Sequence, residues 1–404
     1  MVELISKSAS YLTDMLCSID VSEETREQVT ITDVNLTESL LTPGLQTSIT
    51  VHSKINNSFR RNLNDYYGKN IQVSVKREIL KDTGHKSTFD TQQKIYRLSN
   101  RQRVNYEIES FQIDACDDTL IQDAKVWVSK SWKAVTPSTV VSDMFSQCLS
   151  PRNIEIEEST PPRDYIAENI HPFQVINQQA EVALTGAMDP SFVHFMTYQN
   201  SFGADIPTHN FKSLTAMAQQ APVFVFTYSG KASADLNYAT PSDIMSYSFP
   251  CDFDLLSDVL NGYDETGSNI FSLITVNPYN ATSSIYGLGF TRCGGTSASS
   301  ITNLGTEAEQ ATSATNVEQY LLRRRPRMAM LDQDKIALRM TVPFNPNLSA
   351  GKVVTANFYH SSRDELLYGS GDYLIVNMTH NIKHGGLGMT ILDCVSNTVA
   401  TGRV

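Results

Sequence analysis

The stretch Ser370–Asn397, SGDYLIVNMTHNIKHGGLGMTILDCVSN, decides how the whole chain is read. At its centre, His380-Asn381-Ile382-Lys383-His384 has the spacing of the zinc-protease motif H-E-x-x-H, with Asn381 where the glutamate belongs. That motif works because a helix puts two histidines four apart on one face, with a carboxylate between them as general base. The residues before His380 are β-formers, and Gly385, Gly386 and Gly388 follow at once. Each interior glycine costs a helix roughly 1 kcal/mol relative to alanine. Asn381 cannot take up a proton. The stretch therefore predicts a β-hairpin that turns at Gly385-Gly386, and no metal ligand is assigned.

Working outward, the text remains strand-like. IALRMTVPF (336–344), KVVTANFYH (352–360), DYLIVNMTH (372–380) and GMTILDCVS (388–396) read as strands. Near the other end, IQVSVKREIL (71–80) puts Ile71, Val73 and Val75 on one face, the alternation of a half-buried strand. VNYEIESFQI (104–113) carries Val104, Tyr106 and Ile108 on one face and resumes out of phase at Phe111 and Ile113, which predicts a β-bulge there. AKVWVSKSW (124–132) adds a strand.

Between these β regions the pattern changes. TPSTVVSDMFSQCL (136–149) has a capping Thr136, Pro137 at the first helical position, and a stripe of Val140, Met144, Phe145, Cys148 and Leu149. After a polar segment, HPFQVINQQAEVAL (171–184) forms a second helix with Phe173, Ile176, Ala180 and Ala183 on one face. SFVHFMTYQN (191–200) is a strand, and NFKSLTAMAQQ (210–220) a short strand running into a helix. Residues 1–30 read as an arm or short helix. NVEQYLLRRRPRMAML (316–331) reads as helical up to Pro326.

Composition narrows the function. The chain of 404 residues has a net charge of -11, so it is not built to wrap nucleic acid. Six scattered cysteines without a C-x-x-C pair read as free thiols. Neither a signal peptide nor an apolar run of membrane-spanning length is apparent. In GLGFTRCGG (287–295), Arg292 stands where a dinucleotide loop needs its third glycine. The acids Glu155, Glu157 and Glu158 read as a solvated loop. No catalytic set and no cofactor is implied. The basic knot Arg323, Arg324, Arg325 and Arg327 is the one candidate contact: it reads as an ion-paired meeting point with another subunit or an acidic partner, with a solvent-exposed helix end, a localisation signal or a polyanion contact as the alternatives.

These stretches carry a resemblance. The helix TPSTVVSDMFSQCL, the segment IHPFQVINQQAEVAL, the strand–turn–strand–helix SFVHFMTYQNSFGADIPTHNFKSLTAM with its Phe211, Ser213 and Leu214 step, and the closing NPNLSAGKVVTANF with GDYLIVNMTHNI resemble the baseplate hub proteins of contractile-tailed phages and their relatives in injection machines. The fold expected is mainly β with α+β: two similar antiparallel β-barrel, tube-like domains plus smaller α+β flanking domains. The boundaries are 1-30 for an arm, 31-135 for the first barrel, 136-220 for the α+β domain, 221-261 with 333-404 for the second barrel, and 262-332 for an insert.

The resemblance implies a structural virion protein. It would be a homotrimeric hub fitting the sixfold tail tube to a central spike protein. Tail tube or tube-initiator, wedge and tape-measure proteins would be further partners. DNA would pass through an acidic channel without specific binding, with no membrane insertion, after assembly in the host cytoplasm. The alternative is a tail-tip cell-wall hydrolase or peptidase.

Overall fold

The computed structural model describes residues 2–6, 14–19, 29–54, 68–76, 87–187, 189–228, 242–250, 337–360, 363–367, 369–383 and 387–400, together with Arg324, Met328 and Leu331. Among the described residues the structure is mainly β, and the named helices lie in the middle part. The first part contributes β1 (Val2–Ser6), β2 (Asp14–Ile19), β3 (Val29–Ser39), β4 (Gln46–Lys54), β5 (Asn70–Lys76), β6 (Thr88–Arg103) and β7 (Ile108–Cys116). Ile71, Val73 and Val75 of β5 all point inward, as their alternation predicts.

The middle part runs α1 (Asp118–Lys125), β8 (Val128–Val135), α2 (Pro137–Gln147), β9 (Asn153–Ile156), β10 (Arg163–Ile170), α3 (Pro172–Val182), β11 (Phe192–Thr197), β12 (Thr208–Ser213) and α4 (Leu214–Ala218). Helix α2 starts as its sequence predicts: the Thr136 side chain accepts from Thr139 N–H, and Pro137 opens the first turn. Its stripe of Val140, Met144, Phe145 and Leu149 packs with Phe173, Ile176 and Ala180 of α3. That core is closed by the stacked rings of Phe192 and Phe211, 5.0 Å apart.

The last part contributes β13 (Phe224–Tyr228), β14 (Ser246–Ser248), β15 (Leu338–Pro343), β16 (Val353–His360), β17 (Arg363–Leu366), β18 (Ser370–Lys383) and β19 (Leu387–Ala400). The first and last parts are one sheet, in the order β1-β2-β5-β6-β7-β4-β3-β18-β19-β15-β14. Strand β16 branches from β18 and carries β13 and β17.

Strand β18 is the fork. Its first residues, Gly371–Leu374, pair with β16; its later residues, Asn377–Lys383, pair with β3 along the same edge. The other edge pairs with β19 from end to end. The predicted hairpin is therefore present, closing with Lys383 opposite Leu387. His384, Gly385 and Gly386 lie outside the described residues. Bulges between Asp372 and Leu374 and between Ile375 and Asn377 lie at the changeover. A bulge increases local twist, which lets one long strand change partners along the same edge.

Several expectations are corrected. Residues 2–6 and 14–19, read as an arm or short helix, are strands, and β2 pairs with β5. Val104 and Tyr106 are not in a strand but in the turn before β7, 54% and 90% exposed. The register shifts sit in the preceding strand instead, between Ile95 and Arg97 and between Ser99 and Gln102. In AKVWVSKSW the strand begins only at Val128, because Asp117 caps α1 through Thr119 N–H and carries the helix to Lys125. The polar segment after residue 149 contains two strands, β9 and β10.

Candidate functional site: the seam between the two β regions

The pairing of β3 with β18 places opposite residues in continuous rungs. One rung runs Gln46, Thr37, Thr379, Ile391, Thr341. The next runs Asp114, Ser48, Asn35, Asn381, Met389. A third runs Gln112, Thr50, Asp33, Lys383. A fourth runs Ser39, Asn377, Asp393, Arg339. Side chains alternate along a strand, so these residues share one face and their neighbours share the other. The other face is the core: Val34, Leu36, Ile49, Ile382 and Leu392 are all at 0% exposure.

The outward face is dominated by short polar groups that bond one another across the seam. Ser39 Oγ donates to Asn377 Oδ1 at 2.6 Å. Asn381 Nδ2 donates to Asn35 Oδ1 at 2.6 Å and to Asp33 Oδ1 at 3.0 Å. Both cations on these rungs have an acid beside them. Arg339 holds Asp393 through two bonds of 2.6 and 3.1 Å, and Lys383 stands opposite Asp33 in the register. Apolar and aromatic anchors of the kind that dominate tight protein contacts are few here.

Beneath the face lies His380, fully buried on β18. Its Nδ1 shares a 2.8 Å hydrogen bond with Thr390 Oγ1, and its ring packs against Phe344 and Phe89, with centroids at 4.8 and 6.0 Å. Burial pushes its pKa down to about 3, so it is neutral in the fold. No group of three or more metal-ligating side chains occurs among the described residues. GLGFTRCGG lies outside them.

Glu38 fixes the seam to the rest of the molecule. It is 1% exposed, and its carboxylate accepts from Tyr198 N–H at 2.7 Å, Ser349 Oγ at 2.8 Å and Ala350 N–H at 2.6 Å. One side chain of β3 thus ties the end of β11 to the loop before β16. Burial lifts its pKa to about 6 against the pull of these bonds and of Lys352. A second buried polar chain lies in the middle part. Asp117 accepts from Thr119 Oγ1, which shares a 2.8 Å bond with His209 Nε2, and His209 Nδ1 lies 3.2 Å from His194 Nε2. Burial keeps both histidines neutral, His209 with a pKa of about 4.

Of the arginine knot, Arg324 lies within the described residues. Its Nη1 donates to the carbonyls of Pro190 and Phe192 at 3.0 and 2.8 Å, inside its own chain. Arg323, Arg325 and Arg327 lie outside them. Of the three acids read as a solvated loop, Glu158 is exposed, while Glu155 and Glu157 are engaged. Lys212 Nζ sits 2.5 Å from Glu155 Oε2, and Glu157 accepts from Ser213 N–H at 2.7 Å. The sequence signal was the alternation Ile154, Glu155, Ile156, Glu157 itself. Cys116, Cys148 and Cys394 are free.

The same arrangement of strands and helices occurs in solved structures. The tail protein from Neisseria meningitidis MC58 superposes with a TM-score of 0.52 at 11% identity, covering 96% of this chain and 97% of that one. The 43 kDa tail protein of prophage MuSo2 from Shewanella oneidensis gives 0.52 at 8% identity, over 95% and 98%. The chain shares the fold of these two tail proteins. The Escherichia coli protein c3393, described as a type VI secretion component similar in structure to the bacteriophage T4 tail proteins gp27 and gp5, shares it at a TM-score of 0.50 and 7% identity, over 96% of this chain and 78% of that one. No family model and no curated relative matches the sequence. At identities of 7% to 11% the likeness is one of fold.

Proposed function

We propose that this chain is a structural hub protein of a phage-type tail, present in the virion baseplate, and that the seam face lines a passage for DNA. The two β regions serve as two tube-like domains of one subunit. Three subunits form a ring of six such domains, which matches a sixfold tail tube on one side and a trimeric spike on the other.

The observation that carries this reading is the continuity of the seam face across β4, β3, β18 and β19. A passage for a polyanion needs a wall that neither grips phosphate nor binds bases. Phosphate binding comes from unpaired lysine and arginine; on this face Arg339 is bonded to Asp393, and Lys383 stands opposite Asp33 in the register. Short uncharged groups bonded to one another offer a sliding duplex no strong contact. The overall charge of -11 adds a mild repulsion.

Arg323, Arg325 and Arg327 are proposed as contacts to an acidic subunit or baseplate partner. Wedge and tape-measure proteins are the candidates at the periphery.

Electron microscopy of the purified full chain tests the proposal. The expected particle is a threefold ring with a pore wide enough for duplex DNA and the seam face turned inward. A closed monomer, or a ring with that face outward, overturns it.

A further inference from the structure

The small sheet of the middle part, in the order β11-β12-β9, ends on a strand whose outer edge is open among the described residues. The N–H of Glu157 donates to the Phe211 carbonyl at 2.9 Å, in step with the parallel pairing of Asn153–Ile156 along Thr208–Phe211. In such a ladder alternate residues bond to opposite sides. Asn153, Glu155 and Glu157 are therefore turned to β12, and the amide groups of Ile154 and Ile156 to the other edge. Among the described residues β12 is the only strand that pairs with β9. Side chains alternate too, with Ile154 and Ile156 on one face and Glu155 and Glu157 on the other.

The carboxylate face borders a cavity of about 570 Å³, whose lining includes Lys212, Gln220 and Phe202. Its charges do not cancel. Lys212 is taken by Glu155. Glu157 accepts from Ser213 N–H and Oγ, and it pairs with no cation among the described residues.

Phe202 stands on the rim, 93% exposed. Its loop is held tightly. Asn200 Oδ1 accepts from Phe202 and Ala204 N–H at 3.1 and 2.9 Å, and Ser201 N–H donates to Glu155 at 2.8 Å. A rigid loop presenting a bare aromatic ring gives up little entropy on contact.

We infer that β9 receives an extended strand of a partner protein in which basic and apolar side chains alternate. Main-chain bonds to Ile154 and Ile156 extend the sheet. Basic side chains on one face of the incoming strand meet Glu157, the cavity and the Phe202 ring. Apolar side chains on its other face lie beside Ile154, which is 38% exposed. The inference goes beyond the tail reading and does not rest on it.

Fluorescence anisotropy with the full chain tests it, using two labelled octapeptides, one alternating Lys and Val and the other alternating Glu and Val. The Lys-Val peptide is expected to bind at least about tenfold more tightly, a difference of about 1.4 kcal/mol. Phe202→Ala, an exposed position that leaves the fold intact, weakens it about threefold to tenfold. Ile154→Pro removes the outward N–H without touching the bonds to β12, and abolishes binding. If that variant unfolds by circular dichroism, Phe202→Ala carries the test. Equal binding of the two peptides, binding unchanged by Phe202→Ala, or no binding of the Lys-Val peptide up to about 1 mM overturns the inference.

Discussion

The carboxylate of Glu38 accepts the backbone N–H of Tyr198 at 2.7 Å, across 160 residues of chain. The Tyr198 hydroxyl in turn donates to the Gln46 carbonyl at 2.9 Å, so β3, β4 and β11 are locked by two side chains. Three donors converge on Glu38, and removing it strands two buried amides and a hydroxyl. Glu38→Ala is expected to cost about 3 kcal/mol or more, read as a lower urea midpoint.

The same carboxyl sets a pH dependence. Its pKa in the fold is about 6, above the ordinary 4.5, with burial the main cause. The folded state therefore binds more protons than the unfolded state between these values. The contribution of Glu38 to stability is full below pH 4.5 and is lost as pH rises through 6, by roughly 2 kcal/mol. Urea titrations of wild type and Glu38→Gln at a series of pH values check this: the variant should lack that component of the slope.

His380 acts in the opposite sense. Burial depresses its pKa from 6.5 to about 3, so its share of stability is present above pH 6.5 and is lost as pH falls toward 3. His209, depressed to about 4, adds to the same acid limb. Thermal melts at falling pH should show a shallower acid loss for His380→Leu than for wild type. The leucine should also lower neutral-pH stability by about 1 kcal/mol, since Thr390 loses a partner.

Gly351 has a φ of +80°, and an added Cβ would lie 2.8 Å from Met217 Sδ and 3.0 Å from Phe195. Both the backbone region and the space exclude a side chain. Gly351→Ala should destabilise by about 1–3 kcal/mol. Denaturant unfolding monitored by tryptophan fluorescence gives the number.

For the seam face, the expectation concerns charge. Asn35→Lys combined with Thr37→Lys places two unmatched cations on the proposed wall while leaving the core face of β3 alone. Assembled particles of this variant should retain duplex DNA in low salt and release it as salt rises, whereas wild type should not retain it. Equal retention would remove the seam face from the passage.

The local structure was written plainly in the chain. Alternation marked β5, strand-like text marked β15, β16, β18 and β19, and the Thr136-Pro137 start with its apolar stripe marked α2. The same local rules misplaced the bulge, because Val104 and Tyr106 keep strand-like spacing while standing in a turn. They also passed over β9, because its Glu155 and Glu157 look solvated until Lys212 and Ser213 arrive from β12 to meet them.

What the sequence determined by itself was which residues face inward, since hydrophobic period and capping are local and need only neighbours a few positions away. The tertiary structure alone decided which edges meet. The choice of β3 as partner for the second half of β18, 346 residues distant in the register Asn381 to Asn35, leaves no local mark. A backbone edge offers the same N–H and C=O groups to any strand, and only the packing of Glu38, Tyr198 and His380 underneath selects one.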